Sequence, residues 1–152
     1  MKYYLAYGSN LSVEQMAYRC PDAIPVGTAE IQDYRMLFKG SLTGSYLTIE
    51  PAKGRSVPVL VWTVTGKDEA KLDRYEGYPR FYRKENMRVK MRRFTDPENA
   101  EETEAFVYIM DESHRTGVPT DRYYRVCEEG YRRFGFDERI LRKALAESTG
   151  GR

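Results

Sequence analysis

Histidine and cysteine are nearly missing from this chain. Its 152 residues hold one histidine, His114, and two cysteines, Cys20 and Cys127, far apart in sequence. Two distant thiols make neither a disulfide framework nor a Cys-x-x-Cys metal or redox motif. A zinc site would have one imidazole to draw on, which argues against a metal. Any Ser-His-Asp or Cys-His mechanism would depend wholly on His114, which lies in the polar run Asp111-Glu112-Ser113-His114-Arg115 and reads as a loop histidine. Long apolar runs are also absent: nothing approaches the ~18 residues that span a bilayer. The opening residues lack a basic stretch followed by a long apolar one, so no secretory signal is expected there. Charge of one sign is lacking as well, with 25 basic against 23 acidic residues. No strong field would draw in nucleic acid or a membrane surface. These absences predict a soluble, cytoplasmic protein whose chemistry rests on carboxylates, hydroxyls and backbone.

The stretch with the strongest local signal is the first dozen residues. Tyr3-Tyr4-Leu5-Ala6-Tyr7 suits a buried strand, and Gly8-Ser9-Asn10 breaks it with turn-favouring residues. Ser12-Val13-Glu14-Gln15 follows with the Ser-x-x-Gln spacing of a capping box, so a helix should start there. A strand, a tight loop and a helix N-terminus converge backbone N–H groups on one point, where they can hold a small anion such as a carboxylate.

Further along, strand-forming residues fill Val26 to Ile31 and Tyr34 to Phe38, with Gln32-Asp33 as a turn between them. A short strand is expected over Tyr46 to Ile49, ended by Pro51 and a Lys53-Gly54 turn. Val57 to Val64 is almost continuously apolar and includes the only tryptophan, Trp62, which marks a central strand. Thr65-Gly66-Lys67-Asp68 opens a helix of about three turns, stopped by Gly77 and Pro79. Phe81 to Phe94 alternates Met87, Val89 and Met91 with Arg88, Lys90 and Arg92. Its seven basic residues from Arg80 to Arg93 read as one solvated face of a strand rather than a nucleic-acid stripe. Asp96 to Glu104 reads as an exposed acidic hairpin loop, and Ala105 to Met110 as a strand. Thr120 can cap a helix with the stripe Tyr123, Cys127, Tyr131 and Phe134, and Asp137 begins a last short helix. The fold class is α+β, a small mixed β-barrel with flanking helices, in a single domain over residues 1–147 and a flexible tail over 148–152.

The segment Leu72-Asp73-Arg74-Tyr75-Glu76-Gly77-Tyr78-Pro79 holds the candidate catalytic group. Glu76 falls at a helix C-terminus, where the dipole disfavours negative charge, and Tyr75, Tyr78 and Phe81 can wall it in. Both effects raise a carboxylate pKa toward the range of a proton shuttle.

Tyr7-Gly8-Ser9-Asn10-Leu11, followed later by Leu72-Asp73 and Glu76-Gly77, resembles the γ-glutamylcyclotransferase-like (AIG2-like) family. The likeness extends through Val59-Leu60-Val61-Trp62, Tyr82-Arg83, Val107-Tyr108-Ile109-Met110 and the tyrosine-bearing helix after Pro119. It implies an enzyme that needs no cofactor and converts a small-molecule γ-glutamyl substrate to 5-oxoproline, releasing an amine or amino acid. By the same resemblance Tyr7, Gly8, Ser9, Asn10 and Leu11 would hold the glutamyl moiety, Glu76 would be general base and acid, and Tyr108 would lie near the pocket. The alternative is a non-catalytic module that binds a small molecule or a partner in the same pocket. The leaving group would be read by loops near Lys39 to Ser45 and Met110 to Pro119.

Overall fold

The computed structural model describes residues 1–41 and 44–150. Five strands close into a barrel: β1 (Lys2–Ala6), β2 (Ile24–Lys39), β3 (Tyr46–Val64), β4 (Tyr82–Arg93) and β5 (Asp96–Met110), in the order β1-β3-β2-β4-β5. All neighbours are antiparallel except β1 and β5, which meet in parallel at Tyr4 and Phe106 and close the ring. Four helices flank it: α1 (Val13–Arg19), α2 (Gly66–Glu76), α3 (Asp121–Arg133) and α4 (Glu138–Thr149).

The apolar run expected to be central is central. β3 lies between β1 and β2, and Val57 through Trp62 are buried. Burying such side chains contributes about 1.5–3 kcal/mol each, an upper bound that chain entropy opposes. Two expected turns prove to be one feature. Gln32-Asp33 and Lys53-Gly54 do not end strands; they face each other in an irregularity where the β2–β3 register jumps from Tyr34↔Pro51 to Gln32↔Ser56. Asp33 takes a φ of 62° there, and its carboxylate accepts the Gly54 amide at 2.9 Å. Turn-forming residues bend two long strands together instead of terminating them.

The acidic segment is also a strand rather than a loop. The hairpin turn is Phe94-Thr95, and β5 starts at Asp96. Its exposed glutamates lie opposite the basic face of β4, Glu104 across from Arg88 and Glu102 across from Lys90. Arg93 binds Glu101 at 2.6 Å. Opposite charges across a ladder favour pairing, which single-strand propensity does not register.

α3 carries its stripe inward at Cys127 and Tyr131. α4 packs on β2 and runs further than the tail boundary at residue 148 allowed. Ser148 is buried, accepts the Phe38 amide at 2.8 Å and donates to the Ala144 carbonyl at 2.7 Å. Those two bonds hold the last turn down; residues 151–152 of the expected tail lie outside the described residues. Both cysteines are free and buried, and burial pushes their thiols up, Cys20 to about 11 and Cys127 to about 12. Among the described residues no helix is long and apolar enough to cross a membrane.

Candidate active site

β1 carries the first half of the site to the barrel's open end. The chain leaves it through one 3₁₀ turn, Ser9–Leu11, closed by Leu11 N–H to Gly8 O and Ser12 N–H to Ser9 O, each 3.0 Å. Ser12 then caps α1 by accepting the Gln15 amide at 3.2 Å. The amides of Ser9 and Asn10, first in that turn, have no partner among the described residues. Gly8 has little room for a side chain, because a Cβ would lie 3.0 Å from the Tyr123 hydroxyl. Asn10 is a brace. Its Nδ2 donates to the Tyr4 hydroxyl at 2.8 Å, its Oδ1 accepts from Arg19, and its carbonyl accepts from Trp62 Nε1 at 3.1 Å.

α2 supplies the second half. Thr65 and Asp68 form a reciprocal capping box at its start, and Gly77 ends it at a φ of 67°. Glu76 is the last helical residue. Lys84 holds the helix against the barrel by reaching Asp73 at 2.9 Å and Glu69 at 2.7 Å. Tyr108 of β5 donates to Asp73 at 2.6 Å. The two halves are bolted directly as well: Ser9 Oγ lies 3.1 Å from the Tyr75 hydroxyl, and the Arg19 guanidinium sits 3.5 Å from the centroid of the Tyr75 ring. A cation over an aromatic face contributes about 0.5–1 kcal/mol when exposed, more when desolvated.

Between the halves lies a pocket of about 170 Å³. Tyr4, Leu5, Tyr7 and Tyr82 form its buried floor, with Tyr108 beside them, and Glu76 faces into it from α2. Most of the floor hydroxyls are engaged. Tyr7 donates to the Tyr108 carbonyl at 2.6 Å and Tyr82 to the Leu47 carbonyl at 2.7 Å. Tyr4 accepts from Asn10 and donates to no described residue, so its proton is left for the pocket. Glu76 accepts no hydrogen bond from a described residue. Its surroundings push its carboxyl up to about 7: burial dominates, and the Arg19 charge pulls weakly the other way. Burial, and next the Glu76 charge, push the Tyr4 hydroxyl well above its ordinary range, so it stays protonated. No group of three or more His, Cys, Asp or Glu among the described residues is placed to hold a metal ion.

A family model described as gamma-glutamyl cyclotransferase, AIG2-like, matches residues 4–132, which takes in both halves of the pocket. The chain belongs to this family. A mouse gamma-glutamylcyclotransferase is 26% identical over 150 residues, covering 94% of this chain and 77% of the mouse protein. A bovine gamma-glutamylcyclotransferase is 36% identical over 81 residues, 49% of this chain and 43% of that protein. A solved gamma-glutamyl cyclotransferase superposes with a TM-score of 0.77 at 25% identity, covering 95% of this chain and 86% of the other.

Of the residues singled out from sequence, the structure gathers Tyr7, Gly8, Ser9, Asn10, Glu76 and Tyr108 around one pocket. Leu11 is a correction. It points away from the pocket into the core, fully buried against α3, where a Cβ on Gly130 would lie 2.4 Å from its own Cβ. Tyr78 is another: it is 40% exposed, outside the pocket wall, and lies 4.3 Å from the Lys84 ammonium. The side chains that sequence reasoning missed in this family member are Tyr4, Arg19 and Asp73. Tyr4 read only as a buried strand residue. Asp73 lay inside the quoted Leu72-Asp73 motif without a role, and helical spacing places it one turn before Glu76. Arg19 gave no signal, since its partners Asn10 and Tyr75 are set by tertiary packing.

Proposed function

We propose that the protein is a γ-glutamyl cyclotransferase that turns a γ-glutamyl compound into 5-oxoproline and a free amine, with Glu76 as the proton shuttle. The observation that carries this reading is one carboxylate without a hydrogen-bond partner, held at a pKa of about 7 and facing a pocket closed opposite by free loop amides. The Ser9 and Asn10 amides would hold the glutamyl α-carboxylate. Glu76 takes one proton from the substrate α-ammonium, the freed amine attacks its own γ-carbonyl, a carbon–nitrogen bond forms, and the second proton on the new ring nitrogen passes to solvent. The tetrahedral oxyanion then collapses, the bond to the leaving nitrogen breaks, and Glu76 returns the proton to that nitrogen. Nucleophile and electrophile sit in one molecule, so holding them in a near-attack shape supplies effective molarities on the order of 10⁵ M or more.

The pKa decides whether this works. A substrate ammonium titrates near 8, so passing its proton to a group at about 7 costs roughly 1.4 kcal/mol. An ordinary glutamate near 4.3 would make the same transfer cost about 5 kcal/mol. Tyr4 would supply the oxyanion donor. Tyr108, a candidate for that role, already donates to Asp73, which leaves Tyr4 as the floor hydroxyl with an uncommitted proton. The test is 5-oxoproline release from a panel of γ-glutamyl compounds, with Glu76→Gln in parallel. Turnover by the wild type alone supports the assignment. Equal turnover by both sinks Glu76 as the base, and binding of glutamyl ligands without turnover would make the protein a binding module.

A further inference from the structure

Asn10 sits between a cation and a phenol, and that placement gives its side-chain amide a direction. A guanidinium carries only donors, so the Asn10 atom that faces Arg19 is the oxygen, Oδ1. Nδ2 is thereby turned to the Tyr4 hydroxyl, to which it donates at 2.8 Å. The Asn10 carbonyl is held separately, by Trp62 Nε1 at 3.1 Å, so only the side-chain amide is free to turn. With its oxygen accepting from Asn10, Tyr4 keeps its own proton for the pocket. Turned the other way, the amide would offer Tyr4 an acceptor, and the hydroxyl proton would point at Asn10 instead.

Arg19 is well fixed for this task. It is the last residue of α1, half-buried, with its guanidinium 3.5 Å from the centroid of the Tyr75 ring. Asn10 and Tyr4 are both buried. The three groups donate in one sense, from a permanent charge on α1 to a hydroxyl on the pocket floor. In such a chain each bond polarises the next, more so away from water. Burial and the Glu76 charge push the Tyr4 hydroxyl up, and against them the Asn10 bond and the Arg19 charge pull it down, which makes it a stronger donor.

Resting on the cyclotransferase reading, with Tyr4 as its oxyanion donor, we propose that Arg19 is a positioning residue of the reaction: acting through Asn10, it aims the Tyr4 proton at the developing oxyanion. Arg19 does not line the pocket and touches no reacting atom. Its effect belongs to kcat, because the oxyanion is absent from the bound ground state.

The experiment measures kcat and KM for 5-oxoproline release from the fastest of γ-glutamyl-L-alanine, γ-glutamyl-n-butylamide and γ-glutamylcysteinylglycine, at about pH 9, above the titration of Glu76. Arg19→Met should lower kcat about tenfold with KM little changed. In a Tyr4→Phe background the same change should lower kcat less than about threefold, because the proton it aims is gone. Arg19→Lys keeps a charge and donors without an acceptor, so its kcat should stay within about threefold of wild type. Asn10→Asp keeps the partner of Arg19 but presents Tyr4 with an acceptor, and should lower kcat as far as Tyr4→Phe does. Equal losses from Arg19→Met in both backgrounds, or no loss at all, overturn the inference and leave the reaction standing. A loss in Arg19→Lys as large as in Arg19→Met also overturns it, since packing of the planar group would then account for both. Should Arg19→Met not fold, Asn10→Asp decides, and wild-type kcat in that variant overturns the inference. Full activity in Tyr4→Phe removes the donor and this inference with it, while Glu76 keeps its role. No 5-oxoproline from folded wild type overturns the reaction itself.

Discussion

Glu69 and Glu76 sit two turns apart on the same helix and are opposites. Glu69, near the start of α2, is bound by Lys84 at 2.7 Å and Lys2 at 3.0 Å. Burial raises its carboxyl, but those two ammoniums outweigh the effect and hold it below the ordinary range. Glu76, at the other end, has no such partner and is pushed up to about 7. One helix therefore places a paired carboxylate and an unpaired one on the same barrel, and the difference is a pair of lysines. Pairing makes a carboxylate inert, and withholding the partner makes it a usable base.

The comparison breaks most severely at Glu76. Glu76→Gln should lower kcat/KM by about 10²–10⁴, the range for losing a general acid–base group, while leaving glutamyl binding in place by calorimetry. Tyr4→Phe should lower kcat about 10²-fold with KM nearly unchanged; a rise in KM at constant kcat would make Tyr4 a binding group instead. Wild-type kcat/KM should rise tenfold per pH unit well below 7 and level off above it, because only ionised Glu76 accepts a proton.

Stability sharpens the same contrast with smaller effects. Glu76 has a folded pKa raised above its unfolded value, so its contribution is fully present below the unfolded pKa and lost as pH rises through about 7. Glu76→Gln should therefore be more stable than the wild type at pH 8, by roughly 1–3 kcal/mol in urea unfolding, and equal to it near pH 4. Glu69 has the opposite sign: its depressed pKa gives stability above the unfolded value that is lost as pH falls. Glu69→Gln should cost no more than about 1 kcal/mol at pH 7, the scale of a partly exposed ion pair, with wild-type kcat/KM retained.

Contacts close in sequence were legible, and contacts distant in sequence were not. The loop after β1, the Ser12 cap and the position of Glu76 before the Gly77 cap all depend on neighbours within one or two turns. Tyr4 accepts from Asn10 and donates to no described residue, and Arg19 covers Tyr75 from another helix; both facts need the assembled barrel. The same limit explains β5. The run from Asp96 to Glu104, polar but for Pro97 and Ala100, looks like a loop until the basic strand that pairs with it is alongside. It also explains Leu11, whose place in the Tyr-Gly-Ser-Asn-Leu run suggested a ligand contact, although its side chain fills the space Gly130 leaves open. Lys39 is buried in an ion pair with Glu50 at 2.8 Å, and residues 42–43 lie outside the described residues.

The two buried cysteines carry a consequence for how such a protein withstands its surroundings. With thiols at about 11 and about 12, roughly one part in 10⁴ of Cys20 and one in 10⁵ of Cys127 is thiolate at pH 7. The reactive form is scarce and enclosed, and the proposed chemistry uses neither sulfur. A thiol-selective reagent that silences a cysteine hydrolase would meet only two buried thiols outside the proposed site, so the proposed turnover should be insensitive to it.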